Sequence, residues 1–155
     1  MTAPLDASEI SEATLHRLFD WWNEARGAER YPARSAFDPM AEPSLLASLL
    51  MVETADALEA FRYRVFGTDA ADAFGEERTG KRFDHIRLPD RNEGDVLTGY
   101  WSVYRDGVPH YFPNRPIAQS RAYAGYSRLL LPLGPDRPSG GPSRILGAFA
   151  FFPRR

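Results

Sequence analysis

Apolar residues recur at helical spacing from Ile10, with Leu15, Leu18, Phe19, Trp22 and Ala25 on one stripe. Ser8 or Ser11 is placed to cap this helix, Glu12 falls in its first turn, and Arg26-Gly27 ends it. The polar, proline-punctuated stretch "AERYPARSAFDP" reads as a connector. Asp38-Pro39 then predicts an N-cap and a first-turn proline, opening a short helix through about Ser48. Two strand patterns follow, "LLMVET" and "AFRYRVFG", joined by a link short enough for a hairpin. Alternation in the second puts Phe61, Tyr63 and Val65 on one face, and Arg62, Arg64 and Phe66 on the other.

Gly67 and Gly75 bracket one or two helical turns, which Thr68 can cap, and Thr79-Gly80 makes a second break. After the mixed loop "KRFDHIRLPD", residues 91–106 predict the clearest helix after the first. Val96, Leu97, Tyr100, Trp101, Val103 and Tyr104 form its wide apolar face, with Asp90 at the N-cap and Gly107 at the C-cap. Three strands close the chain. "VPHYFPNRPI" is broken by prolines and suits an edge. "AYAGYSRLLLPL" is long and turns at "GPDRPSGGPS" into "RILGAFAFF", which is apolar on both faces as a doubly covered central strand would be. Five strands split two and three around helices predict an α+β fold.

Composition narrows the function. At 155 residues, 43% of them hydrophobic, the chain is expected to form one globular domain with its own core. A net charge of −2, with no block of like charge, argues against a nucleic-acid surface. Nearly all the basic residues are Arg; Lys81 is the only Lys. There is no Cys, which excludes disulfides, thiolate catalysis and Cys-based metal sites. "MTAPLDASEISEATL" lacks the basic and apolar regions of a signal peptide, and no apolar run reaches the ~20 residues needed to span a bilayer. A soluble, cytoplasmic protein without membrane contact is the expectation.

The order β-β-short helices-helix-β-β-β resembles a PAS domain, and within that family the bacterial single-domain subgroup. The likeness is carried by "WWNEARGAERYPARSAFDP", "FRYRVFGTDAADAFGEERTGKRF", "SRLLLPLGPD" and "RILGAFAF". It implies a five-stranded antiparallel sheet in order 2-1-5-4-3, with helices on one face and a small-ligand cavity between them. It implies an N-terminal helix and connector over residues 1–36, ahead of a PAS-like domain over 37–155. It further implies a stand-alone sensory or interaction module in signal transduction, binding an unknown small molecule or a separate signalling protein. In such proteins a flanking helix covers its own sheet, packs against a second copy, or does both. Leu15, Leu18, Phe19 and Trp22 are therefore the candidate dimer or partner interface. The cysteinyl-flavin type is excluded by the lack of Cys. The haem type commonly takes a His from the long helix, and residues 91–106 contain none. His85 and His110 are what is left as candidate iron ligands, and no cofactor is expected.

The candidate ligand-lining set is Tyr63, Val96, Tyr100, Tyr111, Tyr126 and Phe149, whose phenols would supply polar anchors in an apolar pocket. Simple core packing of the same rings is the competing reading. The alternative function is a small α+β cavity enzyme of isomerase or dehydratase type. It needs a buried carboxylic acid and a phenol donor, for which Asp69, Asp72 and Asp106 with Tyr100 or Tyr111 are formally available. Nothing in their spacing selects them. Asp84-His85 is a weak metal signal, because neighbours on an extended chain point apart. Ser102 and Ser127 lack a nucleophile-elbow context. "GPDRPSGGPS" opens no helix and is a hairpin loop rather than a phosphate cradle.

Overall fold

The computed structural model describes residues 5–86, 92–117 and 120–154, of which 92–96 are described by backbone alone. Five strands form one antiparallel sheet: β1 Leu49–Glu53, β2 Arg62–Phe66, β3 His110–Pro116, β4 Tyr123–Asp136 and β5 Pro142–Pro153. Their order is β2-β1-β5-β4-β3, the order that the sequence resemblance implied. Three helices accompany them: α1 Ala13–Arg26, α2 Thr68–Phe74 and α3 Asn92–Asp106. The architecture is α+β.

The long β4–β5 hairpin is the middle of the fold. Period-2 alternation sorts its side chains onto two buried faces. Leu129, Leu131, Leu133, Leu146 and Ala148 join the cluster under α1, here called the outer face. Tyr126, Leu130, Ile145 and Phe149 join the cluster under α2 and α3, the inner face. Leu15, Leu18, Phe19 and Trp22 of α1 are only 0–4% exposed, and the Trp22 indole donates a 2.8 Å hydrogen bond to the Pro132 carbonyl. These four residues cover their own sheet.

Local chemistry moved several boundaries. Asp6, not Ser8 or Ser11, is the capping residue near the N-terminus, and it closes a 3₁₀ turn at Ala7–Glu9 with a capping box. Glu12 stands at the N-cap of α1 rather than in its first turn, without a capping hydrogen bond; its carboxylate is taken by the Tyr111 hydroxyl at 2.5 Å. Asp38 caps as expected, accepting from the Met40 amide at 2.9 Å. The helix it opens is two 3₁₀ pieces, Pro39–Ala41 and Pro43–Ser48, because Pro43 brings no N–H to an α-helical ladder. Gly67, not Thr68, is the N-cap of α2. A Cβ on Gly67 would stand 2.3 Å from the Ala47 carbonyl oxygen. Only glycine lets this strand end pass so close to the preceding turn. Gly75 ends α2 in the left-handed conformation, at φ 71°.

The strict alternation expected in β2 is corrected by a bulge. Met51 pairs with Val65 and Val52 with Tyr63, so Arg64 is an extra residue. Beyond it the faces exchange. Tyr63 and Phe66 are buried together in the inner cluster, while Val65 turns to the outer side and is 45% exposed.

If α1 is an integral layer, truncating its largest anchor must be costly. Trp22→Ala is expected to lose about 3–5 kcal/mol in denaturant unfolding. A loss below ~1 kcal/mol would show that the sheet does not depend on this helix.

Candidate functional site

The inner face of the sheet and α2–α3 enclose an aromatic interior. Phe61 and Tyr63 come from the β2 segment, Phe83 from a 3₁₀ turn, and Tyr100 from α3. Their rings meet edge-on or tilted, with Tyr63–Phe83, Phe83–Tyr100 and Tyr63–Tyr100 centroids at 5.0, 5.1 and 5.9 Å. A second group gathers Phe74 of α2 with Tyr126 of β4 and Phe149 and Phe151 of β5, at 5.6, 5.4 and 6.4 Å from Phe74.

Polar chemistry is concentrated at one point in this interior. The Tyr63 and Tyr100 hydroxyls lie 3.0 Å apart on two fully buried side chains. Burial pushes both phenols up from their usual value of 10.0, Tyr100 further than Tyr63. The charges of Arg78 and Arg128 act in the opposite sense on each. Both hydroxyls therefore stay protonated, each able to donate and to accept.

Those two arginines are themselves buried, Arg78 at 1% and Arg128 at 2% exposure. A buried guanidinium needs compensation. Arg78 pairs with Glu76 at 3.1 Å, and its guanidinium lies over the Phe66 and Phe74 rings at 5.4 and 5.3 Å. Arg128 projects from β4 between the rings of Phe112 at 4.5 Å and Tyr100 at 5.1 Å. Gly99 of α3 makes room for it, since a Cβ there would stand 2.5 Å from an Arg128 terminal nitrogen. The interior thus offers two phenols and two guanidiniums among aromatic faces. That set suits a flat or apolar ligand carrying a polar or anionic group.

Of the six residues expected to line a ligand, Tyr63, Tyr100, Tyr126 and Phe149 are brought together here. Tyr111 is not. It pairs with Leu129 and packs on the outer cluster. β3 reaches the sheet by its own register, so tyrosine content alone did not reveal the face. The Val96 side chain lies outside the described residues. Arg78 and Arg128 were missed. The available signal for Arg128 was its place in the inward column Tyr126-x-Arg128-x-Leu130 of an otherwise apolar strand. For Arg78, in a loop, there was none.

The acids considered for an enzyme do not converge. Asp72 and Asp106 are exposed and Asp69 is half-buried. Asp84 is held by Arg82 at 3.0 Å, with the exposed His85 at 3.8 Å from it. Arg64 meets Glu53 at 2.7 Å, while Arg62 donates to the Gly80 carbonyl. Among the described residues no helix is long and apolar enough to cross a membrane, and no group of three or more His, Cys, Asp or Glu is arranged to hold a metal.

The phenol pair can be tested directly. Tyr63→Phe and Tyr100→Phe are each expected to cost about 1–3 kcal/mol, because each leaves the other hydroxyl short of a buried partner. The double variant should cost less than the two together; strict additivity would show that the hydroxyls do not interact. The raised pKa values also fix a pH dependence. Their contribution is full below pH 10.0 and is lost as pH rises above it towards the folded-state values. Denaturation curves of the double variant should fall less steeply over that alkaline range than those of the parent.

No curated protein matches the sequence. A family model described as PAS domain matches residues 10–150, from ahead of α1 to within β5. The chain belongs to the PAS domain family.

Proposed function

We propose that this PAS-family chain is a sensory or interaction module for signal transduction, with a small ligand received in the aromatic interior. The observation that carries the reading is the buried Tyr63–Tyr100 hydroxyl pair, 3.0 Å across from strand to helix, with Arg78 and Arg128 beside it. A ligand oxygen inserted there would exchange one internal hydrogen bond for two, and the guanidiniums would favour an anionic one.

Transmission follows from the strands. Tyr126 and Phe149 face the interior, while Leu129, Leu131, Leu146 and Ala148 of the same two strands carry α1. A change of packing on the inner face shifts the seat of α1 on the outer face. Contacts with a second copy or a separate signalling protein would change with it, and the ligand's differential affinity for the two arrangements sets how far the population moves.

Native mass spectrometry of freshly purified protein tests this. A bound mass is expected, or failing that a thermal shift with a panel of aromatic and carboxylate metabolites, reduced in Tyr100→Phe. A bare chain mass together with no shift across the panel would mean that the interior is only a packed core.

A further inference from the structure

The outer face of the sheet is not fully covered. α1 packs on β4 and β5. Beside it, over β1 and β2, lies a half-open cleft of about 660 Å³. Its floor is Leu49, Met51 and Leu146, and its walls include Phe37, Leu46 and Val65. Leu46 and Val65 are 39% and 45% exposed, and Met40, next to the cleft-lining Pro39, is 66% exposed. Among the described residues these three are the exposed large hydrophobics.

One end of the cleft is cationic. Arg34, Arg64 and Arg144 all line it. Glu53 meets two of them, 2.7 Å from Arg64 and 3.3 Å from Arg144. The guanidiniums at this end therefore outnumber the carboxylate that pairs with them. They crowd one another as well. Burial lowers the pKa of the Arg144 guanidinium; Glu53 opposes this, and Arg34 and Arg64 add to the lowering. The buried Arg144 Nε–H has no hydrogen-bond partner among the described residues. An anion at this end would meet excess positive charge, and an apolar chain would lie along the sheet floor.

We propose that this cleft is a second binding site, separate from the interior, for an aliphatic carboxylate: an unbranched acyl tail over Met51, Leu146 and Val65, and a carboxylate head at Arg34, Arg64 and Arg144. The volume falls within the range of small-molecule sites, roughly 300–1,000 Å³. Planar guanidiniums match a carboxylate in bidentate geometry. The proposal does not rest on the reading of the interior, because the two sites lie on opposite faces of the sheet.

Isothermal titration with decanoate, below its micellar concentration, tests it. Decanoate is expected to bind, and decanol and acetate to bind at least roughly tenfold more weakly, each lacking one half of the recognition. Arg64→Glu and Arg34→Glu, both at exposed positions, should weaken decanoate by roughly tenfold or more. Glu53→Gln should tighten it, since the competing internal anion is gone. Tyr100→Phe, on the other face, should leave decanoate binding unchanged. Equal binding of decanol, indifference to both Arg reversals, or loss in Tyr100→Phe would overturn the proposal. So would a dimer in native mass spectrometry that Arg64→Glu dissociates, since the cleft would then be filled by a second copy.

Discussion

The β4–β5 hairpin has to be covered on both faces, and the rest of the fold answers that requirement. Its two strands carry mostly leucines outward, and Tyr126, Leu130, Ile145 and Phe149 inward. Apolar side chains on both sides of a strand are stable only between two layers. The inner layer is built from α2, α3 and the loops around them. The outer layer is α1, anchored by Trp22, with Ile10, Tyr31 and Leu45 from the flanking segments. A helix is about 10 Å across with its side chains, while strands repeat about every 4.8 Å. α1 therefore shields β4 and β5, and the short flanking turns beside it cover β1 and β2 only in part. The cleft over β1 and β2 is a direct consequence of that mismatch.

The same hairpin explains the polar chemistry inside. Arg128 lies in the inward column of β4, so its charge enters the aromatic interior whether or not a ligand is present. The surroundings answer with ring faces on either side and with a glycine in α3 where a side chain would collide. Arg78 approaches from the loop after α2 and brings Glu76 with it. Between them two phenols are held neutral by burial. Such an arrangement orders the interior more than it strengthens it, because desolvating a guanidinium offsets much of what its contacts contribute.

The inner and outer faces also handle charge differently. Inside, the guanidiniums are shielded and stacked. Outside, Arg34, Arg64 and Arg144 line a cleft open to solvent, and Arg64 and Arg144 share Glu53. Burial works to raise the Glu53 carboxyl, but the Arg64 hydrogen bond and the charges of Arg144, Arg64 and Arg62 outweigh it and hold the group below its usual 4.5. The pair's stabilisation is therefore full above that pH and fades only as acid passes the lowered value.

Much of this was determined by the chain itself. Helical periodicity placed α1 and the body of α3, turn residues placed the β4–β5 hairpin, and the apolar character of both its faces called for two layers. Short capping signals were less legible, because a local capping box at Asp6 and the close approach of Gly67 to the Ala47 carbonyl oxygen, not the nearby serines and Thr68, set those caps. Only the tertiary structure decided which side chains share a face where the period breaks. One extra residue at Arg64 turned Val65 out and Phe66 in, and the register of β3 sent Tyr111 to the opposite side from Tyr126. The convergence of Arg34, Arg64 and Arg144, far apart in sequence, and of Arg78 and Arg128 on the phenol pair, is likewise tertiary. Local pattern fixes alternation along one strand, but the contacts between distant segments fix what each alternation faces.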